Sequence, residues 1–341
     1  MLGLQTQFQL DTMKAFGNNV ICLDATHGTN LYDFLLFTVM VVDDFGEGIP
    51  VGWAITTRED TAMLTYFLKA LRERSGPLKP SVFMSDDAQQ YWNSWSAVFG
   101  DNHTRKLLCT WHIDRAWRNA LKEHISTVET RVELYHHLRV ILMEQDTPTF
   151  RVLLQQFLSM LTASNPEFLE YFRKQYVPRT EQWATCHRKC MFINTNMYVE
   201  SFHRLLKVVY LESKQNHRLD RLLNVLLKIA RDKAFGQFQK IHKGKNSHRI
   251  GEIRQRHQNA HEMVAGGCIP VQHSEHAWKV NSQQDSEKHY IVRIALESCD
   301  CKLRCSSCNA CIHMYSCTCV DSAIHTTVCK HIHNYCTNGT S

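Results

Sequence analysis

Three acidic residues lie where their carboxylates could do chemistry together. Asp24 follows residues 20–23, four consecutive apolar residues that are typical of a buried strand. Asp86 follows the short apolar run at residues 81–85, and Glu200 lies near the start of a helical segment. Three carboxylates at one point repel each other and take up protons unless divalent cations neutralise them. Two Mg²⁺ ions at such a point could activate a water or a hydroxyl for phosphoryl transfer.

The same three residues also have a purely structural interpretation. Asp24 would then serve a turn, Asp86 or its neighbour Asp87 would cap a helix, and Glu200 would be a solvated residue in the first turn of its helix. Residue spacing alone leaves both interpretations open.

Cysteines with metal-ligand spacing are the second chemical feature. Nine of the fourteen cysteines lie between Cys299 and Cys336, with histidines interleaved. In an intracellular chain this pattern indicates zinc rather than disulfides. The set predicted to hold Zn²⁺ has the order Cys-x-Cys, nine residues, Cys-x-His, and comprises Cys317, Cys319, Cys329 and His331.

An earlier set repeats the same order and the same nine-residue gap. It would form a second zinc site or compete for the first ion, and it comprises Cys299, Cys301, Cys311 and His313. Cys305 and Cys308 form a separate Cys-x-x-Cys pair. Three further residues are either spare ligands or have no metal role: His325, His333 and Cys336.

The elements that would position the acids follow from apolar periodicity. Residues 18–109 predict the order βββαβαβ, in which the first three strands form an antiparallel meander. The fourth strand would lie beside the first, which brings Asp24 and Asp86 to neighbouring strand ends. Residues 113–190 predict about four helices. Another helix, with its cap at residues 194–196, carries Glu200.

Composition and charge limit the class of protein. The 341 residues allow two domains or one large decorated domain. The N-terminal residues lack the features of a signal peptide, and the longest apolar run, residues 34–42, is too short to span a bilayer. A soluble intracellular protein is therefore expected. Residues 204–256 hold fourteen Lys/Arg and four Asp/Glu, which indicates a polyanionic partner or a solvated basic helix face.

Four stretches in chain order resemble the transposase domain of Mutator-like elements, a branch of the ribonuclease-H-like DDE transposases. They are ICLDATHGTN, VFMSDDAQQYW, LLCTWHIDRAWR and NTNMYVESFHRLLK, and the resemblance covers roughly residues 5–215. The C-terminal cysteine pattern resembles the SWIM zinc finger over about residues 290–333. SWIM fingers accompany transposases of this kind.

The resemblance implies roles for individual residues. The catalytic acids would be Asp24, Asp86 and Glu200, with Asp87 the weaker candidate for the second. The Cys-x-x-His motif of the family matches Cys109 and His112, which are expected near the active site; the alternative is a buried cysteine and a histidine at a helix start. DNA contacts are expected from basic residues that follow Glu200: Arg204, Lys207, Arg218 and Arg221.

The implied fold is α/β. A ribonuclease-H-like mixed sheet would carry a large all-helical insertion and be followed by a small zinc-stabilised C-terminal module. The expected divisions are the first part of the core at 1–112, the helical insertion at 113–190, the catalytic helix and basic segment at 191–245, a linker at 246–285 and the SWIM-type finger at 286–341. The polar, basic residues 243–262 predict either a linker or a loosely packed helix.

The predicted function is DNA cleavage and strand transfer, with Mg²⁺ or Mn²⁺ at the acids and Zn²⁺ in the finger. Partners would be transposon ends and target DNA in the nucleus, with no membrane, and self-association stays open. The alternative is a non-catalytic, domesticated regulator that binds DNA or protein through its zinc finger. It is motivated by the few residues before the first predicted strand, where family members often carry a DNA-binding zinc module. A nuclease acting on RNA–DNA hybrids is a third interpretation.

Overall fold

The computed structural model describes residues 1–100, 103–188, 196–214, 217–243, 248–283, 285, 288–299, 304–323 and 327–338. These residues form two compact units, each with its own core. The first unit holds the described residues of 1–43, 47–188 and 196–243, and the second holds 44–46 together with those from 248 onward.

A six-stranded mixed sheet forms the centre of the first unit. Its strands are β1 Leu2–Leu4, β2 Val20–Thr26, β3 Leu35–Val42, β4 Gly48–Thr56, β5 Val82–Ser85 and β6 Arg105–Leu108. The spatial order is β1-β4-β3-β2-β5-β6. Strands β2, β3 and β4 pair antiparallel, whereas β5 pairs parallel with both β2 and β6. The predicted meander, and the predicted position of the fourth strand of the βββαβαβ order beside the first, are confirmed.

Helices cover this sheet because their apolar residues recur on one face. The helices around it are α1 Gln7–Phe16, α2 Thr61–Ser75 and α3 Gln89–Phe99. In α2 the Asp60 side chain accepts a hydrogen bond from the Met63 amide, which caps the helix start. Its buried face comprises Leu64, Phe67, Leu68 and Leu71. Strand β1 was not predicted, since a three-residue strand carries almost no periodicity. Helix α1 was not predicted either, although a capping box of Thr6 and Gln9 marks its start.

The next segment of the first unit is all-helical around an aromatic core. Its helices are α4 Thr110–His124, α5 Val128–Met143, α6 Thr147–Ser164, α7 Pro166–Gln175 and α8 Thr180–Trp183. The Trp117 ring packs against those of Tyr176 and Trp183. Buried Arg188 donates hydrogen bonds to the carbonyl oxygens of Leu108, at 2.5 Å, and Gln182, at 2.8 Å. These bonds join the helical segment to the end of β6, directly before Cys109.

Helix α9, Met197–Leu205, lies over the sheet and carries Glu200. Its Phe202 ring stacks on Trp53 of β4, with 6.1 Å between ring centroids. Gly48 makes room for the helix, because a Cβ there would lie 2.9 Å from the Cβ of Tyr198. The helix continues as a π-helical segment, Leu206–Tyr210, and α10 spans Leu219–His242. Asn196 stands at the N-terminus of α9, as predicted, and residues 194–195 lie outside the described part.

The second unit combines a small antiparallel sheet with helices. It contains α11 His248–Ala265, β7 Val271–Ser274, β8 Ala277–Asn281, β9 His289–Ile294, β10 Tyr315–Cys317, α12 Val320–Ala323 and α13 Lys330–Asn338. The strand order is β10-β9-β8-β7. Strands β8 and β9 are the two short strands expected before the cysteine-rich segment. The residues expected as a linker, 246–285, supply α11, β7 and β8 of this unit.

No helix among the described residues combines the length and apolarity that a bilayer crossing requires.

Candidate active site and metal centres

Asp24 and Asp86 lie at the same edge of the large sheet. Asp24 is near the end of β2 and faces Thr38 of β3 in register, while Asp86 follows β5, the parallel neighbour of β2. The Asp24 side chain is 13% exposed. Burial, with the nearby charge of Asp86, raises the pKa of Asp24 to about 8. Burial also raises the pKa of Asp86.

Backbone amides orient both carboxylates. The Ala25 N–H donates to Asp24 Oδ1 at 2.9 Å, and the Ala88 N–H donates to Asp86 Oδ1 at 3.0 Å. Asp87 points elsewhere, because its carboxylate forms an ion pair with Arg179. Of the two adjacent aspartates, Asp86 is therefore the one that faces Asp24.

Glu200 lies beside the Cys-x-x-His motif. Its Oε1 atom is 3.6 Å from Cys109 Sγ and 3.6 Å from His112 Nδ1. One ligand atom from each of these three residues fits within a 4.8 Å group that could hold a metal ion. The charge of Glu200 also contributes to the raised pKa of Asp24, and His112 opposes the rise in the pKa of Asp86. These five residues thus share one electrostatic environment.

The three acids do not form one group of the 4.8 Å size within the described part of the chain, since Glu200 groups with Cys109 and His112. A group of that size is what a single shared ion requires, whereas a two-ion site allows the carboxylates to lie further apart. Two divalent cations about 4 Å apart, with oxygen ligands at about 2.1 Å, can be shared by carboxylates up to about 8 Å apart.

Sequence reasoning missed three residues of this site. His203 Nδ1 lies 3.7 Å from Asp24 Oδ2, and its Nε2 lies 3.0 Å from Thr38 Oγ1. Burial lowers the pKa of His203 to about 3, so the imidazole stays neutral at physiological pH and does not neutralise Asp24. The spacing could have revealed His203, which is three residues after Glu200 and so on the same helical face.

Asn196 and Glu59 are the other two site residues that were not predicted from the sequence. The Asn196 backbone N–H donates to Cys109 Sγ at 3.2 Å, and its side-chain amide donates to the Leu23 carbonyl at 3.5 Å. Glu59 accepts a 2.5 Å hydrogen bond from the Tyr91 hydroxyl, and its charge adds to the raised pKa values of Asp24 and Asp86. Asn196 was predicted only as a helix cap, and Glu59 had no sequence signal, because it reaches the site through tertiary packing.

The predicted DNA-contact residues follow Glu200 in two different environments. Arg204 is exposed and, within the described residues, forms no ion pair. Lys207 is half-buried, and burial lowers its pKa although the charge of Asp24 opposes this effect. Arg218 and Arg221 are paired with acids, Asp220 and Glu212, each at 3.3 Å.

The predicted zinc ligands of the C-terminal segment come together. Cys317, Cys319, Cys329 and His331 are all buried, and their four ligand atoms lie within 4.8 Å of one another. Cys317 Sγ is 3.9 Å from His331 Nδ1. Four soft donors in one buried group have the composition of a closed structural zinc site.

The second predicted set forms a group of its own. Cys299, Cys311 and His313 converge, with 3.4 Å between Cys299 Sγ and His313 Nδ1. Cys301, its fourth member, lies outside the described residues, as does His325. The two sets therefore occupy separate places instead of competing for one ion.

A fourth candidate group was not predicted as a set. It comprises His257, Cys305, Cys308 and His333, with their ligand atoms within 4.8 Å of one another. Cys336 lies beside it, in hydrogen-bond contact with Cys308. His257 comes from α11, in a segment that the sequence had indicated as a linker or a loosely packed helix.

In a comparison with protein families, residues 20–116 match the MULE transposase domain. This segment contains Asp24, Asp86, Cys109 and His112, and it ends before Glu200 and before every Cys/His group of the second unit. No curated protein matches the chain. The match supports a transposase-family function, and a transposase domain implies DNA binding; the C-terminal Cys/His groups lie outside the matched residues.

Proposed function

Proceeding from a MULE transposase domain at residues 20–116, we propose that this chain is a DNA transposase that cleaves and joins DNA by metal-dependent phosphoryl transfer. Its first unit would be a ribonuclease-H-like core with a helical insertion, carrying the catalytic acids Asp24, Asp86 and Glu200. Its second unit would contain a SWIM-type zinc finger. The substrates would be transposon ends and target DNA, and the site of action the nucleus.

One observation carries the catalytic part of the proposal. Asp24 is buried beside other acids, its histidine neighbour is neutral, and its pKa is raised to about 8. A carboxylate in this position is costly for the folded protein unless a cation binds there. Oxygen donors from Asp24, Asp86 and Glu200 suit Mg²⁺ or Mn²⁺. When bound, such ions would lower the pKa of the attacking hydroxyl or water and stabilise the leaving oxygen.

The protein's own residues position these donors. Backbone amides hold one oxygen each of Asp24 and Asp86, which leaves their other oxygens for metal binding. Cys109 and His112 contact Glu200 and fix its carboxylate at the sheet edge. Asn196 bonds to both Cys109 and the carbonyl of Leu23, and so ties α9 to β2. We assign Cys109, His112 and Asn196 a positioning role.

The experiment is strand transfer with pre-cleaved element-end DNA and a plasmid target, in Mg²⁺ or Mn²⁺. Wild-type protein is expected to join the element ends to the plasmid, and this reaction should stop when the divalent ions are chelated. Asp86→Asn and Glu200→Gln are expected to lose at least a hundredfold in rate, because removing a metal-binding carboxylate removes charge stabilisation of the transition state.

Asp87→Asn is the matched control, since Asp87 is the adjacent aspartate and is engaged by Arg179. It should retain most of the activity. Full activity in Asp86→Asn and Glu200→Gln would reject the mechanism. Zinc uptake without a specific Mn²⁺ site would favour a non-catalytic binding protein, and cleavage confined to RNA–DNA hybrids would favour a nuclease.

DNA contact predicts a difference between two arginines. Arg204→Ala is expected to weaken duplex binding and to reduce the slope of log K against log salt by about 0.9, the value for one released counterion. Arg221→Ala should have a smaller effect, because Arg221 is already paired with Glu212. Fluorescence anisotropy over a KCl series measures both slopes. Equal slopes in wild type and Arg204→Ala would exclude Arg204 from the interface.

A further inference from the structure

We propose that His257, Cys305, Cys308 and His333 bind a structural Zn²⁺ ion at a site separate from the SWIM-type set. The four residues come from three places in the second unit. His257 is in the middle of α11, Cys305 and Cys308 flank a tight turn, and His333 is in α13. Their ligand atoms lie within 4.8 Å of one another. Cys305 and His333 are fully buried, at 2% and 0% exposure.

The distance between the two imidazole nitrogens fits a tetrahedral ion, whereas the sulfur–nitrogen distance is shorter than the roughly 3.5 Å that zinc bond lengths set. His257 Nδ1 and His333 Nδ1 are 3.3 Å apart, and Cys308 Sγ is 3.1 Å from His333 Nδ1. A tetrahedral Zn²⁺ with Zn–N bonds of about 2.0–2.1 Å places two nitrogen ligands about 3.3 Å apart. Two cysteines and two histidines are also a common ligand composition of structural zinc sites.

Hydrogen bonding alone accounts poorly for this arrangement. The Nδ1 atom of His333 is approached by both the Cys308 sulfur and the His257 ring. An imidazole nitrogen offers one in-plane lone pair or one proton, so it can satisfy one of these neighbours well. A cation at the centre accepts a lone pair from each of the surrounding atoms. The convergence of donors is therefore explained by a metal ion.

Backbone and side-chain contacts surround the four residues. The Ser307 N–H donates to Cys305 Sγ at 3.4 Å, and the Ala310 N–H donates to Cys308 Sγ. On the outer side, His257 Nε2 lies 3.1 Å from His261 Nε2. An outer hydrogen bond of this kind fixes the ring of a metal-binding histidine.

The site would hold the second unit together over a long stretch of chain. It joins α11 to the turn at 305–308 and to α13, whereas the SWIM-type set lies between residues 317 and 331. Helix α11 and α13 pack against each other around Ile253, Met263 and Ile332. Zinc binding would thus make α11 part of the folded module.

The test compares zinc content in variants of the full chain, measured by elemental mass spectrometry. His257→Asn is expected to lose one zinc per chain relative to wild type, because one ligand is removed. His257→Cys is expected to keep that zinc, since a thiolate replaces the imidazole. Cys268→Ser is the control: Cys268 lies in the same unit and in none of the candidate groups among the described residues, so its zinc content should match that of wild type.

Alkylation of the native full-length protein gives a second measurement. Cys305 and Cys308 are expected to resist N-ethylmaleimide in wild type and in His257→Cys, and to react in His257→Asn. Unchanged zinc and unchanged protection in His257→Asn would overturn the proposal. Equal zinc loss in His257→Asn and His257→Cys would overturn it as well, because the effect would then follow from disturbed packing rather than from the lost ligand.

Discussion

Asp24→Asn is expected to lower the rate of strand transfer by at least about a thousandfold. The same substitution is expected to make the metal-free protein more stable. Loss of activity follows from removing a carboxylate that we propose binds the catalytic metal ions. The gain in stability follows from the environment of Asp24, which is buried among acids. Asparagine keeps an oxygen to accept the hydrogen bond from the Ala25 amide, so the backbone at this position need not change.

The gain in stability from Asp24→Asn is expected to increase with pH. The pKa of Asp24 is about 8 in the folded protein and about 3.9 in an unfolded chain. Below pH 4 both states hold the proton, and Asp24 does not penalise folding. As pH rises from about 4 to 8 the unfolded chain releases its proton first, so stability falls, by up to about 1.4 kcal/mol per pH unit. Asp24→Asn removes this penalty, so its advantage should grow to about 2–5 kcal/mol at pH 8.

Urea unfolding in EDTA at pH 5, 6.5 and 8 measures this gain, beside strand-transfer assays at neutral pH. Asp33→Asn is the control, because Asp33 is highly exposed and its replacement should change neither quantity. Saturating Mn²⁺ should stabilise wild type and leave Asp24→Asn nearly unaffected, since an ion that binds only the folded state stabilises it. An inactive Asp24→Asn that is less stable than wild type at pH 8 would contradict this account.

The sheet was predictable because its signal is local. Continuous apolar runs mark β2 and β3, and the turn residues 43–50 mark the hairpin between β3 and β4. The position of β5 beside β2 followed from the βββαβαβ order, and it placed Asp24 near Asp86. Residue spacing alone could not separate Asp86 from Asp87, because the orientation of Asp87 depends on Arg179, which lies more than ninety residues further along the chain.

The Cys/His groups were likewise predictable only where their members lie close together in the sequence. One set falls within fifteen residues, and its spacing predicts a zinc site: Cys317, Cys319, Cys329 and His331. His257 lies 76 residues from His333, in a segment whose polarity suggested a linker. A signal was present, since Ile253, Ala260 and Met263 recur at helical spacing and His257 falls on the same face. Charged and polar residues on the other faces of α11 obscured this pattern.

Removing zinc is expected to unfold the second unit of the full-length protein. Among the described residues its core is small, and five of the twelve buried members are cysteines: Cys305, Cys317, Cys319, Cys329 and Cys336. Structural zinc contributes about 10–16 kcal/mol in small modules at neutral pH, which exceeds the stability that so small an apolar core can supply. Without the ion, these thiols would make only weak contacts with one another in place of metal–sulfur bonds.

Hydrogen exchange with mass spectrometry on the intact chain measures this loss. A strong zinc chelator, or the substitution Cys329→Ala, should remove protection from the amides of β9 and α13 by several orders of magnitude. The amides of β2 and β3 should keep theirs, because the first unit has a separate apolar core and its sheet contains none of the Cys/His groups of the second unit. Cys268→Ala should behave like wild type. Persistent protection of α13 after zinc is shown to be gone would mean that Val280, Val292 and Ile332 suffice to hold the unit, and the zinc groups would then serve a purpose other than folding.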